Sequence, residues 1–198
     1  KSGVIANGID DFWVENISTK KRHIVKEGEV HLIQPCRIDK NKNISTSIEI
    51  TKELRKRGFK SFINIVGDGA EKENLIKKYR NLTYVQFNDK ASKEELKNYY
   101  DNSDILIMPS KYETFGLVYP EAMSRGLPIV YTKNQGFDKY FDDGEVGFPI
   151  NYSSIEDGAE AIIKILKNYN YMSNKCIENS RLFSWRKIAD KYIIIYLE

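Results

Sequence analysis

Apolar, β-branched runs alternate with helix-patterned segments along almost the whole chain, and few folds accept that order. Strand candidates stand at Glu29–Gln34, Phe62–Val66, Leu82–Phe87, Asp104–Met108, Pro128–Tyr131 and a short Gly147–Ile150. Between and after them, the apolar spacing predicts helices over Ser45–Arg57, Glu71–Tyr79, Ser92–Asp101, Leu117–Arg125, Phe137–Phe141, Ser154–Asn168, Ser173–Ser180 and Ser184–Leu197. Strands that read as near-continuous apolar runs, separated by helices, belong to a parallel sheet covered on both faces. The expectation is therefore an α/β fold, a doubly wound parallel sheet of Rossmann-like type, in one domain over residues 1–198. Ligands of such sheets bind beyond the C-terminal ends of the strands.

Local signals support the boundaries. Ser92-Lys-Glu-Glu95 has the form of a capping box, and Gly58 and Gly126 stand where helices end in left-handed glycines. Pro120 falls in the first turn after Gly116, where a missing N–H loses no helical bond.

Bulk properties exclude more than they assign. A formal charge of +3 is too small to argue for a nucleic-acid partner, and Arg55-Lys56-Arg57 reads as a solvated helix end beside Gly58. Cys36 and Cys176 form no pair pattern, which fits a reducing compartment and argues against structural zinc. The sequons at Asn16, Asn43, Asn81 and Asn151 read as accidents in an Asn-rich cytoplasmic chain. No run approaches the ~18 apolar residues of a membrane span, and no signal peptide is visible. The chain opens at Lys1 rather than Met, and is taken to be a piece of a longer protein.

The segment Pro109–Gly126 carries the chemistry. The apolar run Asp104–Met108 leads into a loop with a carboxylate, Glu113, then the turn Thr114-Phe115-Gly116, then a second carboxylate, Glu121, just inside a helix. The first N–H groups of a helix have no internal partner and carry partial positive charge, so strand, turn and helix start make a phosphate site. Carboxylates flanking it would repel phosphate and suit hydroxyl groups instead. A ligand with a diphosphate between two polyols is a sugar nucleotide. Spacing alone is weak, because sixteen glutamates in 198 residues give about one Glu-x7-Glu pair by chance.

Two further segments fit the same ligand. Arg37 leaves the first strand's C-terminal end, so its guanidinium can fork onto phosphate oxygens, and Lys42 adds a point charge. Gly67-Asp68-Gly69 ends the second strand, where Gly67 permits close backbone approach and Asp68 is either a turn residue or a helix N-cap. There is no third glycine of a dinucleotide fingerprint, no Walker A loop and no Asp-x-Asp. His23 and His31 receive no role.

The context of the two glutamates resembles that of the family-four retaining glycosyltransferases, PS-x-x-E-x-F-G-[LI]-x-x-x-E-A-M-x-x-G-x-P. Pro109-Ser110, Glu113, Phe115-Gly116-Leu117, Glu121-Ala122-Met123, Gly126 and Pro128 match it in register. Arg37 and Lys42 match the family's G-R-L-x-x-x-K, except that Cys36 replaces the glycine, where a Cβ could crowd the ligand or be tolerated. Gly67-Asp68-Gly69 matches a G-D-G near the nucleoside, and Asn88–Ala91 the segment that receives the base. Asn7-Gly8-Ile9-Asp10 and Phe183-Ser184-Trp185 resemble its N-G-[IV]-D element and terminal helix, with Trp185 taken as packing.

The resemblance covers essentially the whole chain. It implies the C-terminal, donor-binding half of a GT-B glycosyltransferase that transfers a hexose from a UDP-, GDP- or ADP-sugar with retention, using no metal or other cofactor. Positive charge from Arg37, Lys42 and the Thr114–Leu117 turn, with the N–H groups of Phe115, Gly116 and Leu117, stands in for a metal on the leaving diphosphate. Glu121 receives the ribose hydroxyls, and Glu113 faces the transferred sugar, a covalent role being its alternative. The glycan or lipid-linked acceptor would bind through an N-terminal domain absent from this chain, and that missing half could also hold the protein at the inner face of the membrane. A sugar-nucleotide epimerase of GT-B architecture and a non-catalytic sugar-nucleotide-binding module are the competing readings.

Overall fold

The computed structural model describes residues 5–18 and 29–197 of the chain. Six strands form one sheet: β1 (Glu29–Pro35), β2 (Lys60–Val66), β3 (Val85–Asn88), β4 (Ile105–Met108), β5 (Ile129–Thr132) and β6 (Gly147–Ile150). Their order is β3-β2-β1-β4-β5-β6 and every neighbouring pair is parallel. The chain builds outward from β1 to β3, then returns to lay β4 on the other side of β1. That reversal opens a crevice beyond the C-terminal ends of β1 and β4.

Both faces of the sheet are covered, and β4 and β5 are buried at every position, while the edge strand β3 alternates Val85-Gln86-Phe87-Asn88. On one face Leu32, Ile63, Ile65 and Ile107 pack beneath α2 (Ile44–Lys56), α3 (Lys72–Tyr79) and α6 (Ile155–Lys167). On the other, Ile33, Leu106, Met108 and Tyr131 pack beneath α4 (Lys93–Asp101), α5 (Val118–Ser124) and α7 (Tyr169–Ser180). Two flanking helices, α1 (Asp11–Glu15) and α8 (Trp185–Leu197), add Trp13 and Ile188 to this second core. The Ser92–Glu95 capping box starts α4 as expected, and Gly58 and Gly126 have φ of +93° and +77° at the ends of their helices. Among the described residues no helix is long and apolar enough to cross a membrane.

Three expectations need correction, and one element was not foreseen. Phe137–Phe141 is not a helix: Lys139 has φ +67°, and the segment turns so that its rings meet Phe183, at 6.2 Å from Phe137 and 5.6 Å from Tyr140. Its apolar residues are there for an aromatic cluster, not for helical periodicity. Strand β3 starts at Val85 rather than Leu82, and α7 starts at Tyr169, whose buried side chain donates its hydroxyl to Asp104 O at 3.0 Å. Helix α1 was not anticipated; it is a single turn capped by Asp10, whose carboxylate accepts the Phe12 N–H at 3.0 Å. Ile9, from the Asn7–Asp10 element, bridges to Ser184, and the Trp185 ring lies so close to Gly8 that a Cβ there would sit 2.5 Å from it. His23 lies outside the described residues.

Candidate active site

The loop from β1 to α2 is shaped by its own aspartate. Asp39 Oδ1 accepts the N–H groups of Asn41 (2.9 Å) and Lys42 (3.1 Å), and Oδ2 accepts Arg37 Nε (3.1 Å). Buried Gln34 donates from β1 to Lys42 O at 2.7 Å. The Lys42 ammonium is thereby held 2.6 Å from Glu113 Oε2, with the two side chains only 20% and 12% exposed. Two charges this sheltered attract more strongly than a surface pair, because less water screens them.

Glu113 stands on the β4–α5 loop, directly across the crevice. Its N–H donates to Gln135 Oε1 at 3.0 Å and its carbonyl accepts the Gly136 N–H at 3.1 Å. Gly116 has φ +82°, and a Cβ on it would meet the Tyr119 ring at 2.4 Å and Glu113 Cγ at 3.3 Å. Glu113 therefore lies across Gly116, and only glycine leaves room for it. The Phe115 ring turns inward, 5.7 Å from Phe137. Among the described residues the N–H groups of Phe115, Gly116 and Leu117 donate to no protein acceptor. Thr114 is exposed beside them.

A cavity of about 520 Å³ opens at the C-terminal ends of β1 and β2, lined among others by Cys36, Arg37, Gly67, Asp68, Lys90 and Val118. Gly67, at φ +151°, is required here: a Cβ would sit 1.9 Å from Cys36 O. Asp68 is a turn residue, accepting the Gly69 N–H at 2.8 Å, while the residue before α3 is Glu71. Lys72 donates to Gly67 O (3.1 Å) and to Asp89 Oδ1 (2.5 Å), joining the glycine loop to the Asn88–Ala91 segment. Burial pushes the Cys36 thiol up to about 12.

Glu121 sits in the first turn of α5, one turn beyond Val118. Burial lifts its carboxyl from 4.5 to about 7, and Asp10 adds to that, while Lys93 and the Trp13 indole favour the charged form. Lys93 Nζ itself lies 2.5 Å from Asp10 Oδ2. A carboxyl kept out of water with no full counter-charge is poised for polar hydrogens from outside the chain.

The structure thus brings together Lys42 and Glu113, sets Arg37 and Gly67 in the wall of the cavity, and places Glu121 on α5, whose Val118 also lines it. Arg37 is 80% exposed, lines the cavity, and among the described residues pairs with Asp39. Asp39, Asn41, Gln34, Gln135, Lys72 and Trp13 escaped the sequence reading, since each acts through a partner far along the chain or through a backbone group. Among the described residues no three His, Cys, Asp or Glu side chains gather as metal ligands would.

A parallel doubly wound sheet with a cation–carboxylate pair at its switch point and a cavity alongside defines a Rossmann-like domain of GT-B type. Residues 16–183 match the family described as Glycosyl transferases group 1, and the chain belongs to that family. It is 31% identical over 211 residues to the O-antigen biosynthesis glycosyltransferase WclY of Escherichia coli, covering 99% of this chain and 55% of that protein. The sulfoquinovosyl transferase SQD2 of Arabidopsis thaliana is 29% identical over 154 residues, which is 75% of this chain and 30% of the relative. The chain therefore spans between about a third and a little over half of these relatives. In shape it is similar to Anabaena HepE, solved in complex with UDP and glucose, with a TM-score of 0.75 at 19% identity over 99% of this chain and 56% of that one.

Proposed function

We propose that this chain is the donor-binding half of a retaining glycosyltransferase of glycan biosynthesis, working with a further α/β domain that supplies the acceptor site. The donor is a nucleoside-diphosphate hexose. Its nucleoside occupies the cavity between Gly67 and Lys90, and its diphosphate lies between Arg37, Lys42 and the N–H groups of Phe115, Gly116 and Leu117. The hexose then reaches Glu113.

In the transfer step the bond from the anomeric carbon to the diphosphate oxygen breaks, an acceptor hydroxyl oxygen forms the new bond on the same face, and its proton passes to the departing diphosphate. Negative charge grows on the departing diphosphate, where fixed cations and amide dipoles stabilise it without reorganising. Positive charge grows at the anomeric carbon, where the Glu113 carboxylate steadies it while orienting the sugar hydroxyls. Glu121 accepts from the ribose hydroxyls, which offset the cost of its buried charge. The cytoplasm, where sugar nucleotides are made, is the proposed place of action.

The observation that carries this reading is the sheltered 2.6 Å Lys42–Glu113 contact beside a cavity walled by Arg37 and Gly67. Neighbours solved with UDP and a sugar support the ligand class. The test uses the full-length protein with UDP-, GDP- and ADP-hexoses. Glu113→Ala is expected to lower turnover by roughly a hundred-fold, the loss of one transition-state contact of about 3 kcal/mol, with nucleotide affinity little changed. Glu121→Ala is expected to weaken the nucleotide instead. Equal nucleotide affinity for wild type and Glu121→Ala would refute the ribose assignment, and a product of inverted anomeric configuration would refute retention.

A further inference from the structure

Strands β1 and β4 pair in register as far as Ile33 opposite Leu106; each then runs two residues further, to Pro35 and to Met108, before its loop begins. Beyond the last rung they meet again. The Asn41 side chain donates from Nδ2 to Tyr112 O at 2.9 Å and accepts the Tyr112 N–H on Oδ1 at 3.0 Å. The Asn41 carbonyl accepts the Lys111 N–H at 2.8 Å. A side-chain amide carries the donor and acceptor of a peptide group, so Asn41 ties the two loops together as a backbone pair would. The next residue on one loop is Lys42, and the next on the other is Glu113.

We infer that Asn41 is a positioning residue for the transfer step, a splint that sets the separation of Lys42 and Glu113; this rests on the donor-binding reading above. In the free protein the Lys42–Glu113 contact itself helps to hold the two loops. Donor binding draws Lys42 toward phosphate and Glu113 toward sugar hydroxyls, so that contact no longer ties them. The Asn41 bonds run to backbone and do not depend on it. They keep the cation and the carboxylate in register when the ligand lies between them. Tyr112 is held through its peptide group, its ring being 66% exposed. Displacing a reacting group by about 1 Å costs on the order of a hundred-fold in rate, so loss of the splint acts on turnover more than on nucleotide affinity.

The test compares wild-type, Asn41→Ala and Asn41→Asp full-length protein. Nucleoside diphosphate affinity is measured by calorimetry with UDP, GDP and ADP, kcat and KM with the matching hexose donor, and amide exchange at Tyr112 by mass spectrometry. Asn41→Ala is expected to keep nucleotide affinity within about two-fold, to lower kcat at least ten-fold, and to exchange faster at Tyr112. Asn41→Asp keeps the acceptor for the Tyr112 N–H but loses the donor, and falls between. An unchanged kcat in Asn41→Ala, or affinity and kcat falling in step, overturns the inference while leaving donor binding intact. A wild type that binds none of the three nucleotides overturns the reading beneath it, and unchanged exchange at Tyr112 overturns the splint itself.

Discussion

Glu121→Gln removes one charge from the site and nearly nothing else, and its effect on stability has a definite sign. Burial raises the Glu121 carboxyl from 4.5 to about 7, so across that interval the folded chain holds a proton that the unfolded chain has released. Its contribution to stability is complete below pH 4.5 and is lost as pH climbs through 7. Full conversion at ~1.36 kcal/mol per unit gives about 3 kcal/mol, and partial exposure of the side chain reduces the working figure to about 2 kcal/mol. Gln is uncharged at every pH, so the variant lacks this term. The two proteins should therefore differ little at pH 4.5, while at pH 8 the variant should be more stable by about 2 kcal/mol, or roughly 4–8 °C in Tm for a chain of this size. Urea denaturation of both proteins at several pH values measures the difference, and groups titrating elsewhere cancel in it. Parallel pH curves, or a wild type that gains on the variant as pH rises, would refute the claim that this carboxyl is buried without adequate compensation.

Gly67→Ala should be severe for its size, because the new methyl would sit 1.9 Å from Cys36 O at a φ of +151°. Parting β1 from β2 there strains the Cys36 N–H bond to Val66 O and the Gly67 N–H bond to Asn88 O, so a loss of about 3 kcal/mol is expected in chemical denaturation, and a loss under about 0.5 kcal/mol would count against the close approach. Cys36 should resist alkylation: with its thiol pushed up to about 12, iodoacetamide at pH 8 should react roughly a thousand-fold slower than with an ordinary thiol of pKa ~9, read by intact mass. Labelling at the rate of free glutathione would show the thiol to be ionised and open.

The sheet was legible because its inner strands β4 and β5 are buried on both faces and so read as plain apolar runs. Gly147–Ile150 was placed to the residue, and the α4 capping box needed only Ser92 and Glu95 three positions apart in a polar stretch. The aromatic segment Phe137–Phe141 misled, since clustering against Phe115 and Phe183 produces the same apolar density as a helix face. The single turn α1 is too short for any period to show. Arg37, Lys42, Gly67, Glu113 and Glu121 could each be picked out by motif, but their mutual placement follows from the strand order. Only the return of β4 to the side of β1 sets Lys42 against Glu113. Asn41 left no signal, because its partner is the main chain of a residue 71 positions away. Cys36, standing where the family pattern has glycine, proves to be half-buried in the cavity wall.

Calorimetric titration of the full-length protein with UDP-, GDP- and ADP-hexoses goes most directly to the grip on a sugar nucleotide. One donor should saturate the wild type, bind at least ten-fold more weakly to Arg37→Ala and to Glu121→Ala, and tighten as pH rises from 5.5 to 8 in the wild type but not in Glu121→Gln. Donors that bind none of these proteins, or bind all of them equally, would contradict it.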